Sequence, residues 1–219
     1  MPFDHLTPEM ALEIYRLGAF PMADSADEEE FEIFEAKQRA LLPFENLHVS
    51  KSLRKKILKH EFDIRVNTAF EQVISACGEA RRSTNQTWIN KPIRDCFNEL
   101  HVMGHAHSVE CWQNDKLVGG LYGLQIGAAF CGESMFSRAT DASKIALVHL
   151  CARLKATGFT LLDAQLPNPH LEQFGQILVE QTEYMNCLEK ALKTNPDFAD
   201  TGRSETDLIH SYLNKHEIQ

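Results

Sequence analysis

The chain has 219 residues, 43% of them hydrophobic, which suffices for one sizeable core or two modest ones and for a buried active site. A formal charge of -9 excludes a protein that coats nucleic acid indiscriminately, since phosphate binding depends on Lys and Arg, so an RNA partner needs a local basic patch. Six scattered cysteines without a CxxC pair suggest neither a zinc ribbon nor a disulfide framework.

The first residues show no basic-then-apolar leader, and no stretch approaches the roughly 20 apolar residues of a membrane span, so a cytoplasmic protein with no membrane partner is expected. Thr7-Pro8 opens a helix, Met10, Ile14 and Leu17 fall on one face, and Gly18 ends it before a tight turn over Gly18–Met22. Residues 24–30 form an acidic, solvated loop. From Lys51 to Lys59, Leu53, Ile57 and Leu58 make an apolar side, and Lys51, Arg54, Lys55, Lys56 and Lys59 cover the rest. This is the strongest basic patch, readable as a solvated helix face or as a surface for RNA phosphates.

Helical spacing predicts two more helices, over residues 69–80 and 91–103, so that the chain before about residue 105 reads as mostly helical. The pattern then changes. Ser108–Trp112 alternates, Gln113–Lys116 is turn-like and Leu117–Phe130 is apolar and glycine-rich, which predicts a hairpin and at least one further strand. Asp141 is placed to cap a helix over 142–157 with Ile145, Val148 and Cys151 inward, Gly158 to end it, and Phe159–Leu162 to return as a strand. Strands, helix and strand in this order give an α+β fold with a mixed sheet.

Three segments carry chemistry. Glu133, in Gly132–Ser137, follows an apolar strand; Asp163 ends another, with Gln165 two residues on. Without further pattern, Asp163 and Gln165 read more readily as a turn cap and a side chain satisfying backbone groups than as catalytic residues. His101, His105, His107 and Glu110 look superficially like metal ligands, but no matching set completes a tetrahedral site, so no metal is expected.

Taken together, Gly18-Ala-Phe-Pro-Met22, Thr87-Trp-Ile-Asn90, His105–Trp112, Leu117-Val-Gly-Gly-Leu-Tyr-Gly123, Gly132-Glu-Ser-Met-Phe-Ser137 and Leu162-Asp-Ala-Gln165 resemble the leucyl/phenylalanyl-tRNA-protein transferase family, in family order across residues 10–190. The resemblance implies a GNAT-like C-terminal domain (residues 61–219) behind a smaller, mostly helical N-terminal domain (residues 1–60). It implies transfer of Leu, Phe or Met from aminoacyl-tRNA to the N-terminal Arg or Lys of an acceptor protein, marking it for degradation. No cofactor is implied, because the aminoacyl ester is already activated, and a monomer is expected.

By the same resemblance Asp163, Gln165 and Glu133 are the catalytic residues, with Asp163 orienting Gln165 and Gln165 meeting the incoming amine. Leu121, Phe130, Met135, Leu147 and Leu162 would line the pocket for the transferred side chain, and Trp88 would stack on the terminal adenosine. Lys51, Arg54, Lys55 and Lys59 would contact tRNA phosphates. Two departures from the family pattern stand out. Ile33 and Ala36 replace a Trp and a Pro while Arg39 is kept, and Leu178–Tyr184 replaces a Pro-Arg-containing strand, which leaves donor and acceptor preference open. An acyl-CoA-dependent N-acyltransferase and a binding-only relative are the competing readings, the first lacking an evident pyrophosphate loop.

Overall fold

The computed structural model describes residue 3, residues 5–82 and residues 87–214. Helix α1 (Pro8–Arg16) starts as its sequence dictates: Thr7 Oγ1 accepts from the Met10 N–H at 3.2 Å, and Pro8 occupies a position that needs no donor. Its buried face differs from the predicted one. Ala11, Leu12, Ile14 and Tyr15 point inward, whereas Leu17, the C-cap beyond the last helical turn, is 65% exposed. Gly18 turns the chain with φ of 78°, and the expected tight turn instead opens into strand β1 (Phe20–Met22), antiparallel to β2 (Glu32–Phe34). The acidic run connects them without regular structure, and Asp27–Glu30 are exposed.

The chain continues through β3 (Gln38–Leu41), α2 (Lys51–Ile57), β4 (Asp63–Val66), α3 (Phe70–Arg82), α4 (Lys91–Val102), β5 (Ala106–Gln113), β6 (Lys116–Ile126) and β7 (Ala129–Ser137). It ends with α5 (Ala142–Thr157), β8 (Leu161–Gln165), α6 (Pro169–Glu172), β9 (Ile177–Glu180), α7 (Gln181–Ala191) and α8 (Glu205–Asn214). The helices predicted over 69–80, 91–103 and 142–157 lie within a residue or two of their observed bounds, and the strand expected over 159–162 begins two residues later. Before residue 105 helix outweighs strand, as expected, but four short strands, β1 to β4, are not anticipated by the sequence pattern. At three or four residues each, they are too brief for alternation to register.

The main sheet runs β4-β5-β6-β7-β8-β3-β9 and is mixed: β7 and β8 are parallel and every other neighbouring pair is antiparallel. The fold is therefore α+β, as expected. The hairpin between β5 and β6 turns on Asn114 and Asp115, both at positive φ (51° and 56°), the twist that suits a two-residue turn. One face of the sheet packs against α1, α3, α4 and α7, the other against α2, α5 and α8. On the second face α5 approaches so closely that a Cβ on Gly119 of β6 would stand 2.4 Å from Ala142 Cβ, which explains a glycine there. Among the described residues no helix is long and apolar enough to cross a membrane.

Asp141 does not cap α5 through its side chain. It sits in the left-handed region (φ 68°), and its carboxylate instead bridges Lys56 Nζ at 2.7 Å and Lys144 Nζ at 3.4 Å. The Lys56 ammonium holds that carboxylate below the usual range. Gly158 ends the helix at φ of 89°, as predicted.

The histidine-rich segment is also engaged in structure. Glu110, fully buried, accepts from the Thr68 N–H (2.9 Å), the Ala69 N–H (2.8 Å), Ser108 Oγ (2.8 Å), Trp112 Nε1 (2.9 Å) and the Thr68 hydroxyl. It thereby anchors the start of α3 to β5. His107 stacks on Phe198 at 4.3 Å, and burial lowers its pKa to about 4. Among the described residues no three His, Cys, Asp or Glu side chains group as metal ligands. Because a buried carboxylate with this many donors cannot be replaced without leaving some unpaired, Glu110→Gln is expected to cost roughly 2 kcal/mol or more. Thermal denaturation should then show a fall in Tm of about 5 °C or more; an unchanged Tm would contradict this role.

Candidate active site

Two β-bulges meet where β7, β8 and β3 adjoin. In the β6–β7 ladder Tyr122 faces Ser134 and Gly123 faces Gly132, so Glu133 is an extra residue with no partner. In the β3–β8 ladder Ala40 faces Gln165 and Leu41 faces Asp163, so Ala164 is extra. A bulge re-aims the side chains around it, and here both act on the residues singled out in the sequence. Gly123 permits the first bulge, because a Cβ there would come within 2.4 Å of both Cys131 O and Phe130 Cε1.

Asp163 and Arg39 are both fully buried. Arg39 Nε donates to Asp163 Oδ1 (3.0 Å) and Oδ2 (3.1 Å), and Nη2 donates to Oδ2 at 2.7 Å. Tyr184 OH donates to the same Oδ2 at 2.9 Å, and the Gln165 N–H donates to Oδ1 at 2.8 Å. Burial works against the Arg39 charge, but the Asp163 charge and hydrogen bonds outweigh it and raise its proton affinity. The guanidinium also lies 4.3 Å from the Tyr184 ring centre and 4.9 Å from that of Phe20, and Nη1 donates to Gly18 O at 2.8 Å.

The expected Asp163–Gln165 contact therefore exists, but through the Gln165 backbone. The Gln165 side chain donates from Nε2 to Glu133 Oε1 at 2.7 Å, and Tyr15 OH donates to the same oxygen at 2.7 Å. Burial pushes the Glu133 carboxyl up to about 8, although these two hydrogen bonds pull the other way; Asp163 adds to the rise and Arg39 opposes it. Burial and the neighbouring Glu133 charge raise the Tyr15 phenol. Glu133 is thus a carboxyl that can gain or lose a proton near neutrality, held against an amide that is itself fixed.

Glu133 separates two cavities. The first, about 70 Å³, is lined by Leu121, Met135, Leu147 and Leu162 together with Leu150 and Leu171. The second, about 240 Å³, is lined by Trp88, Gln165, Phe20, Met22, Leu166 and Pro167. Both include Glu133, Ala164 and Asn168 in their walls. Four of the five predicted pocket residues thus share one apolar cavity, and Trp88, half-buried, stands with Gln165 in the other. Phe130 is not among the lining residues of that cavity. It is fully buried, with its ring 5.3 Å from that of Phe198 and 6.4 Å from that of Phe159.

Lys51, Arg54, Lys55 and Lys59 come together along one groove of about 1030 Å³ on α2, with His48 and Leu213 also in its wall. Lys51, Lys55 and Lys59 are exposed; Arg54 Nη1 donates to Leu213 O at 2.7 Å, and Lys59 lies 3.8 Å from Glu61. Of the two departures, Ile33 is 42% exposed on β2 and Leu178 is 47% exposed on β9.

The family model described as leucyl/phenylalanyl-tRNA protein transferase matches residues 41–189. A leucyl/phenylalanyl-tRNA–protein transferase of Hyphomonas neptunium is 50% identical over 191 residues, 87% of this chain and 74% of that protein. One of Paramagnetospirillum magneticum is 53% identical over 187 residues, 85% of this chain and 90% of that protein. The chain belongs to this family.

Within the family frame, Tyr15, Arg39 and Tyr184 are polar members of the cluster that the sequence did not reveal. Arg39 was visible only as a retained position, and Tyr184 only as the end of a segment in which a cation is missing; the cation beside Asp163 comes from β3. Tyr15 gave no signal beyond its place on α1.

The raised Glu133 carboxyl fixes a pH dependence. Between its ordinary value near 4.5 and about 8, the unfolded chain has released a proton that the folded protein keeps, so folding stability falls as pH rises through this window. Glu133→Gln removes that loss. Urea denaturation across pH 5–8 is expected to show the variant gaining on the parent by up to about 1.4 kcal/mol per pH unit. A constant difference across the window would contradict the shift.

Proposed function

We propose that this protein transfers Leu, Phe or Met from aminoacyl-tRNA to the N-terminal Arg or Lys of acceptor proteins, marking them for degradation in the cytoplasm. Family membership supports the reaction class, and the observation that carries the reading to residues is the Gln165–Glu133 pair set between two cavities. The reaction converts an activated ester into an amide, so it asks for positioning, oxyanion stabilisation and proton handling rather than an energy source. In this reading Gln165 orients the attacking α-amine, Glu133 accepts its proton near neutral pH, and Asp163 holds the Gln165 backbone.

Leu121, Met135, Leu147 and Leu162 would take the side chain of the transferred residue, with Met135 able to adapt its shape. Trp88 would offer its face to the terminal adenosine, a stacking contact worth roughly 1–3 kcal/mol. The α2 groove, with Lys51, Arg54, Lys55 and Lys59, would follow the tRNA backbone. A GNAT-like domain over 61–219, a smaller domain over 1–60 contributing β3 to the shared sheet, and a monomer belong to the same proposal.

Transfer of labelled Leu, Phe and Met from charged tRNA to matched Arg-, Lys-, Asp- and Ala-initiated peptides tests it. The expected result is transfer confined to Arg and Lys, reduced about 100-fold or more by Gln165→Ala and by Asp163→Ala. Transfer to Asp-initiated peptides would mean a changed acceptor, and none from any donor would sink the proposal.

A further inference from the structure

The geometry points to Tyr184, together with Arg39, as a positioning residue for the transfer proposed above. By holding Asp163 Oδ2, the two keep Oδ1 on the Gln165 backbone N–H and so fix the left-handed backbone from which the Gln165 amide reaches Glu133.

The two oxygens of Asp163 divide the work. Oδ2 takes Tyr184 OH at 2.9 Å and Arg39 Nη2 at 2.7 Å, which leaves Oδ1, also touched by Arg39 Nε at 3.0 Å, directed at the Gln165 N–H at 2.8 Å. Gln165 has φ of 63°, a conformation that a residue with a Cβ rarely adopts without local support. The support is this hydrogen bond, from a side chain two residues earlier.

Tyr184 approaches from α7 and Arg39 from β3, so the carboxylate is restrained from two different elements and its rotation is opposed. Arg39 is itself fixed by Gly18 O at 2.8 Å and by stacking between the Tyr184 and Phe20 rings. Tyr184 is fully buried, and the phenol stays protonated because burial and the Asp163 charge both raise it, so it remains a donor. Neither residue lines the two cavities beside Glu133, so their effect on the reaction passes through Asp163 and Gln165.

Its meaning for catalysis rests on the proposed transferase activity; the positioning itself does not, and hydrogen exchange reads it directly. Two hydroxyl deletions separate positioning from ordinary packing. Tyr184→Phe removes the donor to Asp163, whereas Tyr212→Phe removes a buried donor to Phe44 O outside the cluster. In Tyr184→Phe, kcat for transfer is expected to fall about tenfold, the rate equivalent of one buried hydrogen bond, with KM for charged tRNA and for peptide changed less than about twofold. Exchange of the Gln165 amide, followed by NMR, should speed up by about tenfold or more. Tyr212→Phe should leave kcat and that amide as in the parent.

Unchanged Gln165 exchange in Tyr184→Phe, or equal changes in the two variants, would overturn the inference. A parent protein that transfers nothing would remove the transferase reading, while the exchange comparison would still decide whether Tyr184 positions Gln165.

Discussion

A guanidinium and a carboxylate that never meet solvent must meet each other, and the rest of this structure is arranged around that requirement. Arg39 and Asp163 are each fully buried and share paired hydrogen bonds between neighbouring strands. Removing either partner of such a pair leaves an uncompensated charge and costs about 3–5 kcal/mol. The pair thus links β3 to β8 through side chains as well as through the short ladder between them. It also draws in the N-terminal segment, because Arg39 Nη1 rests on Gly18 O at the end of α1, and Tyr15 on the same helix reaches Glu133. The family match begins at residue 41, yet Tyr15 and Arg39, which complete the polar cluster, both precede it.

The chemistry follows from how this cluster meets the two bulges. Glu133 leaves the β6–β7 ladder as an extra residue, which frees its carboxylate to stand between an apolar cavity and one containing Trp88 and Gln165. Desolvation brings its titration into the range where an amine's proton could be accepted, while Tyr15 and Gln165 supply donors to the ionised form. The backbone strain at Gln165 is supported by the buried carboxylate of Asp163, whereas the raised Glu133 carboxyl owes most to burial, with the Asp163 charge adding to it.

What was legible in the sequence was whatever depended on near neighbours. The Thr7-Pro8 start, the Asn114-Asp115 hairpin, the Gly158 stop and the basic face of α2 are all local, and each appears where its residues place it. Motifs located Glu133, Asp163 and Gln165 and the resemblance implied an Asp163–Gln165 contact, but not that the Gln165 backbone makes it while the side chain meets Glu133. Arg39 and Tyr15 stand 124 and 118 residues from their partners, and no spacing rule spans such separations. Asp141 misled for a related reason: a residue type suited to capping was taken by Lys56, 85 residues away. Phe130 has the composition of a pocket wall, but the aromatic stack with Phe159 and Phe198 draws it into the core.

Whether the cluster depends on the Arg39–Asp163 pair is open to one direct measurement. Urea denaturation of the parent, Arg39→Met, Asp163→Asn and the double variant forms a double-mutant cycle. If the pair is the constraint, each single variant loses about 3 kcal/mol or more, and the double variant is less destabilised than the sum by about 2 kcal/mol or more, because neither charge is left alone. Losses that add to within about 0.5 kcal/mol would contradict it, showing two independent buried groups rather than one interaction.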